Sequence, residues 1–168
     1  MNKFGVGQSV KRKEDNKLLR GTETFLDDIN LPGQAHAYFL RSPHAHADIK
    51  QIDNARAAAM PGVVAIYTGP DIEADGLGTV PCVMDAFIPL NRPDGARCFY
   101  PPNYLLPSSR VRHVGEAVAM VIAETLTQAR DAAEQIDIIY HELPCVVETN
   151  SAEASDAPTI WPEAPGNL

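Results

Sequence analysis

The stretch whose reading decides the fold is RVRHVGEAVAMVIAETLTQARDAAEQIDIIYHELP, residues 110–144. An apolar run at residues 117–123 reads as a buried strand. Thr125 and Gln128 then stand at capping-box spacing, the hydroxyl ready to accept a first-turn N–H. They predict a helix over residues 126–135 that turns Leu126, Ala129 and Ala133 inward and Asp131 and Glu134 outward. A second apolar run, residues 136–140, returns as a strand. The result is a strand–helix–strand unit over residues 117–140, and a crossover of this length favours two parallel strands in one sheet.

Upstream, residues 35–41 carry Tyr38, Phe39 and Leu40 and read as a strand that Ser42-Pro43 breaks. Tyr38, Phe39 and, in the later strand, Tyr140 read as core side chains. Residues 47–52, with Ile49 and Ile52 as apolar positions, suggest a second strand beside the first. Asp53 is placed to cap a short helix over residues 54–60, which Pro61-Gly62 ends. Residues 63–68 are a β-branched strand.

The pattern then dissolves: residues 69–109 hold many of the prolines and no sustained period. A loop of that length is functional, packed against a partner, or built from short elements. The reading taken is an excursion packed against another subunit or domain.

Residues 1–34, polar and punctuated by glycines and Pro32, form an extended N-terminal arm with one short strand near residues 24–26. Beyond the turn at Leu143-Pro144, a short strand is expected at residues 145–147 and a helical turn at residues 151–154. The tail, residues 155–168, has three prolines and Trp161 as its main apolar group. Such a segment buries too little to repay its ordering entropy, so it reads as an irregular tail of a fragment, leading toward an absent domain. The organisation is thus an arm (1–34), an α+β (mixed α/β) domain (35–154) and the tail (155–168).

Composition narrows the function classes. The formal charge, 14 − 22 = −8, argues against a nucleic-acid surface, and Glu14 and Asp15 interrupt the basic cluster of Lys11, Arg12, Lys13, Lys17 and Arg20. No window approaches the ~18–20 apolar residues of a transmembrane segment, and residues 1–20 lack a signal-peptide core. Cys82, Cys98 and Cys145 contain no CxxC pair; free thiols in a cytoplasmic protein are the economical reading, with a Cys82–Cys98 disulfide as the alternative.

The densest polar motif is Pro43-His44-Ala45-His46-Ala47-Asp48. His44, His46 and Asp48 would share one strand face, as a zinc or copper site requires; the other reading is a hydrogen-bonded turn at the head of a strand. Asp27 and Asp28 are adjacent, so on an extended chain they point apart rather than forming a dyad. Glu116 could act as a general base, yet no nucleophile is fixed beside it in sequence, and a structural role is expected. Gly5-Val6-Gly7 lacks the strand and helix of a dinucleotide fingerprint. Arg92 and Arg97 lie near Cys82 and Cys98, which keeps a redox or metal role for those thiols in view.

Several segments, in order, resemble the N-terminal portion of molybdenum hydroxylase large subunits: xanthine dehydrogenase, aldehyde oxidase and aerobic carbon monoxide dehydrogenase. They are Leu18-Leu19-Arg20-Gly21, Phe25-Leu26-Asp27-Asp28-Ile29, Leu31-Pro32-Gly33, Arg41-Ser42-Pro43-His44-Ala45-His46-Ala47 and Met60-Pro61-Gly62-Val63-Val64-Ala65. Val111-Arg112-His113-Val114-Gly115-Glu116-Ala117-Val118-Ala119, the Tyr140-His141-Glu142-Leu143-Pro144 turn and Glu163-Ala164-Pro165-Gly166-Asn167 complete the set. The resemblance implies an α/β hammerhead domain, a mixed sheet with a few packed helices. It also implies an oxidoreductase of aldehydes, N-heterocycles or carbon monoxide whose molybdenum–pterin cofactor sits in downstream molybdopterin-binding domains. An iron–sulfur subunit with 2Fe-2S clusters and often a flavin subunit with FAD would be its partners. The family's catalytic and cofactor-binding segments have no counterpart here, so the chain is expected to carry no catalytic residue and to bind no cofactor alone. Scaffold and subunit contact is the role this implies; a free-standing metal- or small-ligand-binding module using His44, His46 and Asp48 is the alternative.

Overall fold

Eight strands and four helices are found among residues 12–83, 90–92 and 95–167, the part of the chain that the computed structural model describes. The chain divides into two compact units, residues 1–34 and 35–168. In the first, α1 (Asp15–Leu18) is one turn, and Lys17 pairs with Glu23 at 2.7 Å. A 3-10 turn at Leu26–Asp28 stands where a short strand was expected at residues 24–26. The Asp28 carboxylate accepts the Phe25 N–H at 2.8 Å, so a side chain takes the donor that a ladder would need.

The second unit contains β1 (His36–Arg41), β2 (Ala47–Asp53), α2 (Ala55–Ala58), β3 (Val63–Thr68) and α3 (Gly69–Ala74). After these come β4 (Thr79–Val80), β5 (Asn103–Tyr104), β6 (Arg110–Val111), β7 (Ala117–Ala123), α4 (Leu126–Ala133) and β8 (Asp137–Glu142). The strands make a three-stranded sheet β1-β7-β3, a second one β6-β2-β8, and the pair β4-β5. Every pairing is antiparallel.

The strand–helix–strand unit is present, but its strands are not parallel neighbours. β7 has both edges taken by β1 and β3, so the chain leaving α4 cannot return beside it, and β8 joins β2 in the second sheet. β2 likewise does not lie beside β1. The Ser42 N–H donates to Glu116 O and the Gly115 N–H to Ser42 O, both at 2.8 Å, which ties the end of β1 to the entrance of β7. The chain then turns away and β2 becomes the centre of the other sheet.

α4 is shorter than the expected span, and its cap is the expected one: Thr125 Oγ1 accepts the Gln128 N–H at 3.2 Å. Ala129, Ala132 and Ala133 are buried against Ala119, Val121 and Ala123, small side chains that let helix and sheet approach closely. Leu126, expected inside, is 45% exposed, because it sits at the first helical position beyond the cap, past the edge of the packed face. Tyr38, Leu40, Ile52 and Ile66 border this core. A second cluster joins Ala47, Val111 and Val118, with Tyr140 beside it. Phe39 is not a core residue: alternation along β1 sends it to the face opposite Tyr38 and Leu40.

Residues 69–109 contain short elements after all. α3 starts at Thr68, whose N–H and hydroxyl both donate to Asp71 Oδ2, at 2.7 and 2.6 Å. The β4-β5 pair holds the two sides of the excursion together, Thr79 opposite Tyr104. Asp53 accepts the Ala55 N–H at 3.0 Å and starts α2 two residues on. The strand expected at residues 145–147 is absent and a 3-10 turn occupies Thr149–Ser151. Just before it, the Pro144 carbonyl is already engaged by a histidine side chain rather than by a strand.

Candidate functional site

The His44, His46 and Asp48 face lies where β2 begins. Each side chain has its own protein partner. Ser42 Oγ accepts the His44 N–H at 3.0 Å and fixes the turn, while His44 Nδ1 lies 3.4 Å from Glu142 Oε1 and its ring 4.8 Å from that of Tyr140. His46 is buried, and its Nδ1 donates to the Pro144 carbonyl at 2.7 Å, since a carbonyl can only accept. The buried Nε2 is left without a partner. Asp48 accepts from Arg110 Nε at 2.7 Å and from Lys50 Nζ at 3.0 Å. The Arg110 bond first, and the Lys50 bond next, hold its carboxyl below the usual carboxylate range. No group of three or more His, Cys, Asp or Glu among the described residues is arranged to hold a metal ion. The arrangement latches the start of β2 to β6, to β8 and to the segment that follows β8.

Glu116 closes a second latch. Its Oε2 accepts the Arg112 N–H at 2.6 Å and lies 3.7 Å from His113 Nδ1, so the carboxylate closes the turn before β7. Gly115, at φ 84°, supplies the left-handed residue this turn needs, and Arg41 Nη1 donates to its carbonyl at 2.7 Å. Asp28 is spent on the Phe25 N–H, so Asp27 and Asp28 make no dyad. All three cysteines are free thiols, Cys82 and Cys145 exposed, so the Cys82–Cys98 bridge is not formed. Gly5, Gly7 and Lys11 lie outside the described residues.

Sequence reasoning missed an aromatic cluster. Trp161 packs with Phe99 at 5.9 Å and Tyr104 at 6.5 Å between ring centroids, and the Arg112 guanidinium lies 3.8 Å from the Trp161 ring centroid. Burial pulls the Arg112 pKa below its usual value, with Tyr104 and Glu116 opposing that pull. The tail has no helix or strand before the 3-10 turn at Pro165–Asn167, yet it is docked: Ala164 is buried, and the Asn167 side chain bonds the Ile160 N–H and the Ala152 and Pro158 carbonyls at 2.9–3.1 Å. The available signal was Gly166-Asn167, a dipeptide suited to left-handed backbone, and Asn167 has φ 58°.

Beside Trp161 lies a cleft of about 430 Å³, walled by Phe99, Val146, Ile160 and Ala164 and bordered by Glu148. A molybdenum–pterin group carries an anionic phosphate and a ring edge rich in hydrogen-bonding groups. The lining adds only Thr149 and Asn167 as neutral polar groups and Glu148 as a carboxylate, so it offers no cation to that phosphate and does not fit the group.

Residues 20–144 match the family described as aldehyde oxidase and xanthine dehydrogenase, a/b hammerhead domain. The chain is 36% identical over 163 residues to the nicotine 6-hydroxylase large subunit of Paenarthrobacter nicotinovorans, covering 97% of this chain and 19% of that one. It is 33% identical over 156 residues to the carbon monoxide dehydrogenase large chain of Afipia carboxidovorans, covering 93% and 17%. Among solved structures, the Cu,Mo-CO dehydrogenase in its carbon monoxide reduced state aligns with a TM-score of 0.72 at 33% identity, over 92% of this chain and 18% of that one. The chain thus spans about a fifth of the length of the curated relatives it matches. Because the family match runs from the first compact unit through both three-stranded sheets, the chain belongs to the aldehyde oxidase and xanthine dehydrogenase α/β hammerhead family.

Proposed function

We propose that the chain is the scaffold and subunit-contact domain of a molybdopterin-dependent oxidoreductase that hydroxylates an aldehyde, an N-heterocycle or carbon monoxide. The molybdenum–pterin group is held by other polypeptide, with 2Fe-2S clusters and commonly FAD on an iron–sulfur and a flavin partner, in the cytoplasm. One observation carries this reading: the relatives match nearly all of this chain with under a fifth of their own length. The ionisable side chains it might have offered a substrate are, moreover, spent on internal latches. Asp48 serves Arg110, Glu116 serves the Arg112 N–H, and His46 serves Pro144. Contact surface is plentiful by comparison, with Leu19, Leu26, Val64, Val114 and Val147 all exposed. No helix among the described residues is long and apolar enough to cross a membrane, in keeping with attachment to protein partners.

The test is co-expression of the remainder of the large subunit and its partner subunits with and without residues 1–168. An active complex that forms only when the chain is present is the expected result. Equal assembly and turnover without it would overturn the reading.

A further inference from the structure

Among the described residues of the second unit, the sheet β1-β7-β3 has two apolar faces and one cover, α4. On the inner face Ala119, Val121 and Ala123 are 0% exposed beneath α4. The outer face follows from register: Phe39, Met120 and Tyr67 form one cross-strand row, and Ala37, Ile122 and Ala65 the next. All six are uncharged and largely apolar. Met120 and Ile122 stay partly exposed although they lie on the central strand, and Phe39 is 41% exposed. Val118, at the entrance of β7, is buried on this side, where it joins Ala47 and Val111 of the second sheet.

The local sequence is written for two covers. AVAMVIA in β7 does not alternate with polar residues, as a strand with one solvated face does; it reads as a strand buried on both sides. Three strands spaced ~4.8 Å apart present a surface ~10 Å wide, the width of one α-helix with its side chains. The inner face already accepts a helix in this way, through α4.

We infer that the outer face, centred on Phe39, Met120 and Tyr67, seats an amphipathic helix from the rest of the large subunit. This rests on the scaffold reading and specifies where the contact lies. The occupant is argued from two observations: the two rows carry no charge, with Arg41 only at the end of β1, so the partner presents an apolar stripe, and the curated relatives hold about four fifths of their length outside the segment this chain matches.

The experiment co-expresses the chain with the remainder of the large subunit and its partners and measures capture of that remainder on the tagged chain. Phe39→Lys combined with Met120→Lys is expected to weaken capture at least about tenfold, a change of ~1.4 kcal/mol in binding. Asp131→Lys and Glu134→Lys, exposed on and at the end of α4 on the other side of the sheet, should leave it unchanged. Met120 oxidation by dilute peroxide, read by mass spectrometry on the unmutated chain, needs no variant to fold. It should be slower in the complex than in the free chain. Capture and oxidation both unchanged would overturn the inference, while deletion of residues 1–168 would still test the scaffold reading separately. Self-association of the free chain that protects Met120, with none in the complex, would equally overturn it by making a second copy the occupant.

Discussion

Replacing Asp48 by Asn removes one charge from the middle of the second sheet while keeping the shape of the side chain. The carboxylate accepts from Arg110 Nε at 2.7 Å, with both side chains under one-third exposed, and from Lys50 Nζ at 3.0 Å, where the lysine is more than half exposed. A hydrogen bond to a charged partner contributes ~1.5–3 kcal/mol when shielded, and an exposed ion pair ~0–1 kcal/mol. Discounted for solvent screening, a loss of about 1 kcal/mol is expected for Asp48→Asn near neutral pH. The pH dependence has a fixed sign. Arg110, then Lys50, depress the folded-state pKa of Asp48, whereas the unfolded chain titrates near ~3.9. Between those two values the unfolded state binds more protons. The contribution of Asp48 is therefore complete above about pH 5 and is lost as pH falls through the folded pKa. Urea unfolding of wild type and variant, followed by circular dichroism at several pH values from about 7 to 3.5, reads both effects. The stability gap should be widest near neutrality and close on acidification. A gap below about 0.5 kcal/mol at pH 7, or one that stays constant to the acid end, would refute the reasoning.

Gly69→Ala should cost ~1–3 kcal/mol in the same assay, because a Cβ there stands 2.5 Å from the Pro107 carbonyl group and Ser108 Cα, and backbone cannot rotate away. Thr125→Ala should cost ~1 kcal/mol by freeing the Gln128 N–H, with Thr125→Ser restoring most of it; equal loss in both would assign the effect to packing. Trp161→Ala should cost at least about 2 kcal/mol, from one cation–π contact and two aromatic contacts. Since Trp161 is the chain's sole tryptophan, its emission in the wild type reports undocking of the tail, and a separate early transition would show the tail to be weakly held.

Much of this fold was legible because period and caps are local. β1, β3 and β7 fall at the expected positions, and Thr125 caps α4 as its spacing demands. What failed was partnership. Which strand lies beside β2 depends on the Ser42 bonds to Gly115 and Glu116, contacts some seventy residues away in sequence that no window can see. The partners of the His44, His46 and Asp48 side chains were hidden for a different reason. The motif's one-face reading follows from alternation, but the residues that claim those side chains, Glu142, Pro144 and Arg110, arrive from two other segments. Trp161 was undervalued because its worth depends on Phe99, Tyr104 and Arg112 meeting it.

The same distinction bears on the outer face of the first sheet. A sequence encodes the burial each position is to have in the finished particle, whereas an isolated chain supplies only the covers it carries. Where the two agree, as on the side of β7 beneath α4, the local pattern and the fold account for each other. Where they disagree, as at Met120 and Ile122, the excess apolar character has no use in the chain by itself: it adds nothing to the core and raises the tendency to aggregate. Substituting polar residues there would then improve the isolated chain and damage the assembly. Met120→Gln is the discriminating change, expected to raise the solubility limit of the free chain at unchanged urea midpoint while lowering the yield of complex. An increase in both would mean that the face has no occupant.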